Sequence, residues 1–209
     1  MKPLVVLAGG KSTRMGKDKI FLPICDGETF LEALLRCAYG LFDPVILSAG
    51  SAAHAQQMAE LLNEKRSTFP HLPRIIPDRY PEKGPMGGLV TVLEETGLSK
   101  FAVIAADIPK ADLEVVSFLY DRCGETFCLL RDEAGREEPL VGAYGEKTLR
   151  RMQQLLAEGN YRIRDAFQDE GRTYSAEEMQ IEFPEKDASD LTERFQNINT
   201  EEDYRKHIK

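Results

Sequence analysis

From Leu7 to Lys19 the chain reads Leu-Ala-Gly-Gly-Lys-Ser-Thr-Arg-Met-Gly-Lys-Asp-Lys, a string of glycines and cations directly after a short apolar run. Glycines past a strand let backbone approach a ligand and turn successive N–H groups toward it. Arg14 offers a planar fork and Lys19 a mobile point charge, both suited to phosphate oxygens. A ligand bearing phosphates is therefore expected at Gly9, Gly10, Arg14 and Lys19. Two common phosphate loops are excluded by counting. A Walker A motif needs glycine five positions before Gly10-Lys11, where Val5 stands, and no G-x-G-x-x-G occurs here. The remaining rival is a solvated surface loop, against which stands the buried strand that feeds this one.

Carboxylates supply the complementary chemistry. Asp107 closes the apolar run Phe101–Ala106 and precedes Ile108-Pro109. A carboxylate there can take Mg²⁺, an ion that binds through one or two carboxylates plus substrate phosphates. The same residue can equally be a helix cap or turn former before Pro109. Asp78 lies in Ile76-Pro77-Asp78-Arg79, ahead of Gly84-Pro85-Met86-Gly87-Gly88-Leu89. Its plain reading is a surface ion pair with Arg79 beside an ordinary loop. Asn197-Ile198-Asn199-Thr200 precedes Glu201-Glu202-Asp203; Thr200 with Asp203 makes a helix start, which leaves the two asparagines unexplained.

The elements that must position these residues alternate in type. Pro3–Ala8 reads as a strand buried on both faces. Thr29-x-x-Glu32 has capping-box form and opens a helix that should stop at Gly40. Strands follow at Pro44–Leu47, Arg74–Pro77, Phe101–Ala106, Thr126–Leu130 and Leu140–Tyr144. Helices follow at Ser51–Leu62, Met86–Thr96, Leu113–Asp121 capped by Asp112, Glu146–Ala157 and about Arg162–Phe167. Such alternation predicts an α/β fold with a mostly parallel sheet, in one domain over residues 1–209. Gly171–Glu193 is polar and weakly periodic, so a strand or hairpin with irregular structure is expected. In open α/β sheets ligands bind beyond the carboxyl ends of the strands. Gly9–Lys19, Asp78 and Asp107 should therefore meet in one place.

Bulk properties narrow the function. With 209 residues, 42% hydrophobic and 30% charged, the chain fits a globular protein, and a net charge of −8 argues against general nucleic-acid binding. Cys25, Cys37, Cys123 and Cys128 show no CxxC spacing, which suggests buried thiols and a cytoplasmic, reducing setting. No apolar run approaches the roughly 20 residues of a membrane span.

Leu7-Ala8-Gly9-Gly10-x-Ser12-x-Arg14-Met15-Gly16-x-Asp18-Lys19 resembles the signature loop of the molybdenum cofactor guanylyltransferases (MobA type), within the wider sugar-nucleotide and cytidylyltransferase group. The resemblance implies a Rossmann-like three-layer sandwich of the nucleotide-diphospho-sugar transferase type. It implies Leu7, Ala8, Gly9, Gly10, Lys19 and Asp78 at the nucleotide, and Asp107 on Mg²⁺. Asn197 and Asn199 would help hold the metal–triphosphate assembly. Ala106 replaces a usual Cys, and Glu201 a usual Pro. Glu137–Tyr144 and Tyr161–Asp165 are similar to the family's acceptor-side segments, with Arg162 and Arg164 able to meet acceptor phosphate.

The reaction so implied is attack by molybdopterin phosphate on the α-phosphorus of GTP, with Arg14, Lys19 and Asp107 as catalytic residues. No side-chain base is needed, and His54, His71 and His207 fall outside every motif. By the same resemblance Leu-Ala-Gly-Gly goes with GTP and Leu-Ala-Ala-Gly with CTP. Cytidylyl transfer to molybdopterin, sugar-phosphate nucleotidyl transfer and a non-catalytic nucleotide-binding module are the alternatives. Partners would be GTP, molybdopterin, other molybdenum-cofactor biosynthesis proteins and molybdoenzyme chaperones, with neither nucleic acid nor membrane.

Overall fold

The computed structural model describes residues 1–9, 19–25, 27–167, 171–198 and 200–207. The first strand, β1 (Leu4–Leu7), lies at the heart of a seven-stranded sheet. Leu4, Val5 and Val6 are fully buried, as a strand paired on both edges and covered on both faces requires. It pairs in parallel with β4 (Val45–Ala49) on one side and β6 (Phe101–Ala105) on the other. Beyond β4 lies β5 (Arg74–Pro77), also parallel. Beyond β6 lie β8 (Glu137–Tyr144), β7 (Phe127–Arg131) and β9 (Arg172–Tyr174). β8 runs antiparallel to both neighbours, whereas β7 and β9 are mutually parallel. The sheet is thus mostly parallel, as the alternation predicted.

Period-two alternation sorts the strand residues into two cores. Leu4, Val6 and Leu47 face one layer, built from α1 (Phe30–Ala38), α2 (Ala52–Glu64), α4 (Leu113–Arg122), α6 (Ala176–Glu182) and α7 (Ala188–Arg194). Val5, Ile46 and Val103 face the other, built from α3 (Gly84–Thr96) and α5 (Glu146–Ala157). The result is the expected three-layer sandwich. Successive crossovers change face between α2 and α3, and the chain steps from β5 across β1 to β6. That is a topological switch point, where a crevice opens at the strands' carboxyl ends.

Local signals explain most boundaries. Thr29 and Glu32 form the expected capping box, Asp112 caps α4, and Gly97 ends α3 in the left-handed conformation. Gly84 and Pro85 belong to the first turn of α3 rather than to a turn before it, since proline suits that position. Two expectations need correction. Ile163–Ala166 is a single 3-10 turn, not an α-helix. Gly171–Glu193 holds the expected strand, β9, but also α6 and α7, each too short to show periodicity. Their marks were the caps: Ser175 with Glu178, and Asp187.

A small hairpin, β2 (Pro23–Cys25) with β3 (Glu28–Thr29), follows a 3-10 turn at Lys19–Phe21. The C-terminal segment closes over it. Ile198 packs with Ile24, Phe30 and Ala33, and Tyr204 of α8 (Glu201–His207) donates to the Pro23 carbonyl at 2.6 Å. This docking holds the C-terminal segment against the β2–β3 hairpin. Among the described residues no helix is long and apolar enough to cross a membrane. Cys37, Cys123 and Cys128 are free thiols; Cys37 is exposed, against the expectation of buried thiols, whereas burial pushes Cys123 up to about 11 and Cys128 up to about 12, as for inert core cysteines.

Candidate functional site

The crevice at the switch point is a cavity of about 260 Å³. Gly9 enters it from the end of β1, Ser48 from β4, Asp78 from just past β5 and Asp107 from just past β6. Lys19 faces it from its 3-10 turn, and Gly84, Pro85 and Gly88 present the start of α3. The convergence expected of Gly9, Lys19, Asp78 and Asp107 is therefore met, and Leu7 and Ala8 line the same wall. Gly10 and Arg14 lie outside the described residues, as does Asn199.

Asp78 is not a surface ion pair with Arg79, and Asp107 lies in the turn that follows β6 without capping a helix. Asp112, not Asp107, caps α4. Arg79 pairs with Glu94 and Glu95, while Asp78 accepts from the Ser48 hydroxyl at 2.8 Å. The Asp78 N–H donates to the Ala49 carbonyl at 2.7 Å, which locks the β5 end against β4. Burial raises both carboxyls above the usual carboxylate range. For Asp78 the Ser48 bond and the His54 charge oppose the rise; for Asp107 the Lys19 charge opposes it. Lys19 and Asp107 thus feel each other across a shared cleft.

Two glycines are there for close approach. A Cβ on Gly9 would come within 2.6 Å of the Gly50 nitrogen, so the wall it must clear is the protein's own β4 end. A Cβ on Gly88 would meet Ser48 Oγ at 2.5 Å and Leu7 at 3.1 Å. Gly88 keeps α3 against the Ser48–Asp78 pair, with the positive end of the helix dipole toward the cavity.

Ser48 is the cleft residue that sequence reasoning missed. Its only signal was a hydroxyl inside the apolar run Val45-Ile46-Leu47-Ser48-Ala49, and it is almost wholly buried. Asn197 falls elsewhere than expected. It does not line the Lys19–Asp107 cavity but a neighbouring one of about 540 Å³. It stays near because the following residue, Ile198, donates its N–H to the Asp107 carbonyl at 3.0 Å. This second cavity is walled by Glu138–Val141 of β8 and by Tyr161–Asp165, and it shares Pro85 and Leu140 with the first. Two segments 20 residues apart in sequence thus build one chamber next to the cleft. Arg164 is tied to the Glu137 carbonyl, whereas Arg162 makes no ion pair with a described residue.

The donor set fits a magnesium ion held largely by its ligand. No group of three or more His, Cys, Asp or Glu among the described residues can cage a metal. A half-buried carboxylate whose charged form is penalised gains from a divalent cation, and Mg²⁺ needs only one or two such ligands beside phosphates.

Switch-point cleft, two half-buried carboxylates and three-layer sheet define an α/β fold of the nucleotidyltransferase type. The model of the MobA-like NTP transferase domain matches residues 4–173, and the chain belongs to that family. It is 27% identical over 201 residues to a protein of Aquifex aeolicus named probable molybdenum cofactor guanylyltransferase, covering 96% of this chain and 87% of that one. A protein of the same name from Thermococcus gammatolerans is 29% identical, with 95% and 94% covered. In fold, the chain is similar to molybdopterin-guanine dinucleotide biosynthesis protein A from Archaeoglobus fulgidus, with a TM-score of 0.74, 22% identity, and 98% and 96% of the two chains covered.

Proposed function

We propose that the protein transfers GMP from GTP to molybdopterin in a magnesium-dependent reaction that releases pyrophosphate, with the whole chain, 1–209, serving as one unit. The observation that carries this reading is the pairing of two adjoining cavities. One gathers Lys19, Asp78 and Asp107 on a glycine-lined wall, and the other is built from β8 and Tyr161–Asp165. The relatives named molybdenum cofactor guanylyltransferase favour GTP as donor and molybdopterin as acceptor.

The reaction is an in-line displacement at phosphorus. An acceptor phosphate oxygen bonds to the α-phosphorus as the bond to the bridging oxygen breaks, and pyrophosphate leaves with that electron pair. The protein's work in such transfers is positioning and charge neutralisation. Lys19, with Arg14, offsets negative charge on the leaving pyrophosphate. The Gly9 and Gly10 backbone holds the triphosphate, and α3 directs its positive end to the same place. Ser48 fixes the Asp78 carboxylate against the nucleotide. Asp107, with Asn199 and with Asn197 approaching from the acceptor side, would hold Mg²⁺, which neutralises charge on the reacting phosphates. An acceptor phosphate is already anionic at neutral pH, so no side chain need remove a proton.

The test is titration with GTP, CTP and ATP in magnesium, followed by pyrophosphate release with molybdopterin present. Release with GTP alone, lost on chelation, is expected. Release with CTP in preference would move the protein to cytidylyl transfer. No release with any triphosphate would overturn the reading.

A further inference from the structure

Glu138 stands where the acceptor cavity meets a further groove of about 610 Å³ between the β7–β8 turn and α6–α7. It and Asn197 are the two residues that line both. Its neighbours are committed: Arg164 to Glu137, Arg136 to Asp132, and Arg131 to Thr173 and Glu178. Glu138 itself is partly buried and makes no hydrogen bond or ion pair with a described residue. Burial, and secondarily Asp132, hold its carboxyl above the usual range, against Arg164 and Arg136. A carboxylate half withdrawn from water, at the wall of a cavity and without a donor, is a ready acceptor for a ligand's N–H groups. Glu138 does not line the Lys19–Asp107 cleft, so those donors belong to the acceptor, at the end away from its reacting phosphate.

We propose that Glu138 reads the acceptor's heterocycle by accepting two parallel hydrogen bonds from a 2-amino-pyrimidin-4-one edge. That edge presents a ring N–H and an amino N–H side by side, and a carboxylate, which only accepts, matches both. The assignment rests on the molybdopterin reading above, since a pterin carries this edge. Guanine carries it too, so the test must separate the two.

A Glu138→Gln side chain accepts at Oε1 and donates at Nε2. It is complementary to the 2-oxo edge of a lumazine, in which the amino donor is replaced by a carbonyl acceptor. GTP-saturated protein is therefore titrated with 6-hydroxymethylpterin phosphate and with its lumazine counterpart, followed by their own fluorescence. The unmodified protein should favour the pterin by about 10–100-fold, the worth of one hydrogen bond to a charged group. Glu138→Gln should invert that preference, and Glu138→Ala should abolish it. Discrimination of GTP from ITP, which lacks the 2-amino group, should stay unchanged in both variants, and unaltered thermal unfolding shows that they fold. An unchanged pterin preference in Glu138→Gln overturns the assignment, as does a change in GTP-over-ITP preference instead. Failure of the unmodified protein to release pyrophosphate with molybdopterin would sink the acceptor reading separately.

Discussion

The two halves of the sheet build their cavities differently. On the β5-β4-β1-β6 side the strands are parallel, and each delivers one group at its carboxyl end: Asp78, Ser48, Gly9 and Asp107. Ser48 there is buried and both carboxylates are half-buried, and backbone bonds between neighbouring strand ends brace them. On the β8-β7-β9 side an antiparallel strand runs along the chamber, which is lined by consecutive residues of β8 and of the Tyr161–Asp165 segment. Its cations are exposed and partly tied to their neighbours. A parallel switch point thus fixes a few groups at strand ends, which suits the reaction at phosphorus proposed for the cleft. The antiparallel flank offers a longer surface, which the proposed function assigns to an extended acceptor.

The sharpest way to break this division is to remove a charge from the cleft. Lys19→Ala and Asp107→Ala should each lower kcat by about 10²–10³, the range for losing one preorganised group on a developing charge. Acceptor binding, read by pterin fluorescence, should hold. If either variant kept full turnover in magnesium, the cleft would not be the reacting centre.

Next in size is a change of shape. Gly88→Ala puts a Cβ against Ser48 Oγ and Leu7, which displaces the partner of Asp78. The KM for GTP should rise about tenfold with the acceptor KM unchanged, reflecting about 1.4 kcal/mol of lost nucleotide binding. A rise confined to the acceptor KM would place Gly88 on the wrong side of Pro85.

The same division decided what could be read from the sequence. β1 and β6 announced themselves because strands buried on both faces are continuously apolar, and their ends carried Gly9 and Asp107. The fold and the convergence of Lys19, Asp78 and Asp107 were legible on those grounds. Ser48 was not, because nothing in a lone serine reports that a carboxylate 30 residues later will face it. Asn197 was placed by its motif on the triphosphate side, but its docking depends on Ile198 packing under the β2–β3 hairpin, a tertiary contact without local signature. The helices α6 and α7, at seven residues each, gave only their caps.

On the acceptor flank a smaller effect is expected. Arg162→Ala removes an exposed guanidinium that has no ion pair with a described residue, so little stability is at stake. The acceptor KM should rise about three- to tenfold, with a shallower dependence on ionic strength, because exposed charge pairs are weak and screened by salt. The KM for GTP should not move. Steady-state kinetics at two salt concentrations decides it, and a salt-independent loss would mean that Arg162 packs rather than attracts.

The smallest effect reverses sign between stability and activity. Burial raises the Asp107 carboxyl above its ordinary value of 3.8, so folding favours the protonated form. The associated stability is fully present below the unfolded value and is lost as pH rises through the folded one. At neutral pH the ionised carboxylate therefore costs stability, and Asp107→Asn, which removes the charge at nearly constant shape, should melt a few degrees higher. The gain should vanish as pH falls below about 4, where both proteins carry a neutral group. Turnover should nonetheless be lost, and GTP with magnesium should raise the Tm of the unmodified protein more than that of the variant, because only the former offers a charged oxygen to the metal. Scanning calorimetry at pH 7 and pH 3.5, with and without that ligand pair, reads all of these at once. A variant that melted lower at pH 7 would show the Asp107 charge to be a structural ion pair with Lys19, and Asp107 would no longer be a carboxylate held ready for a cation.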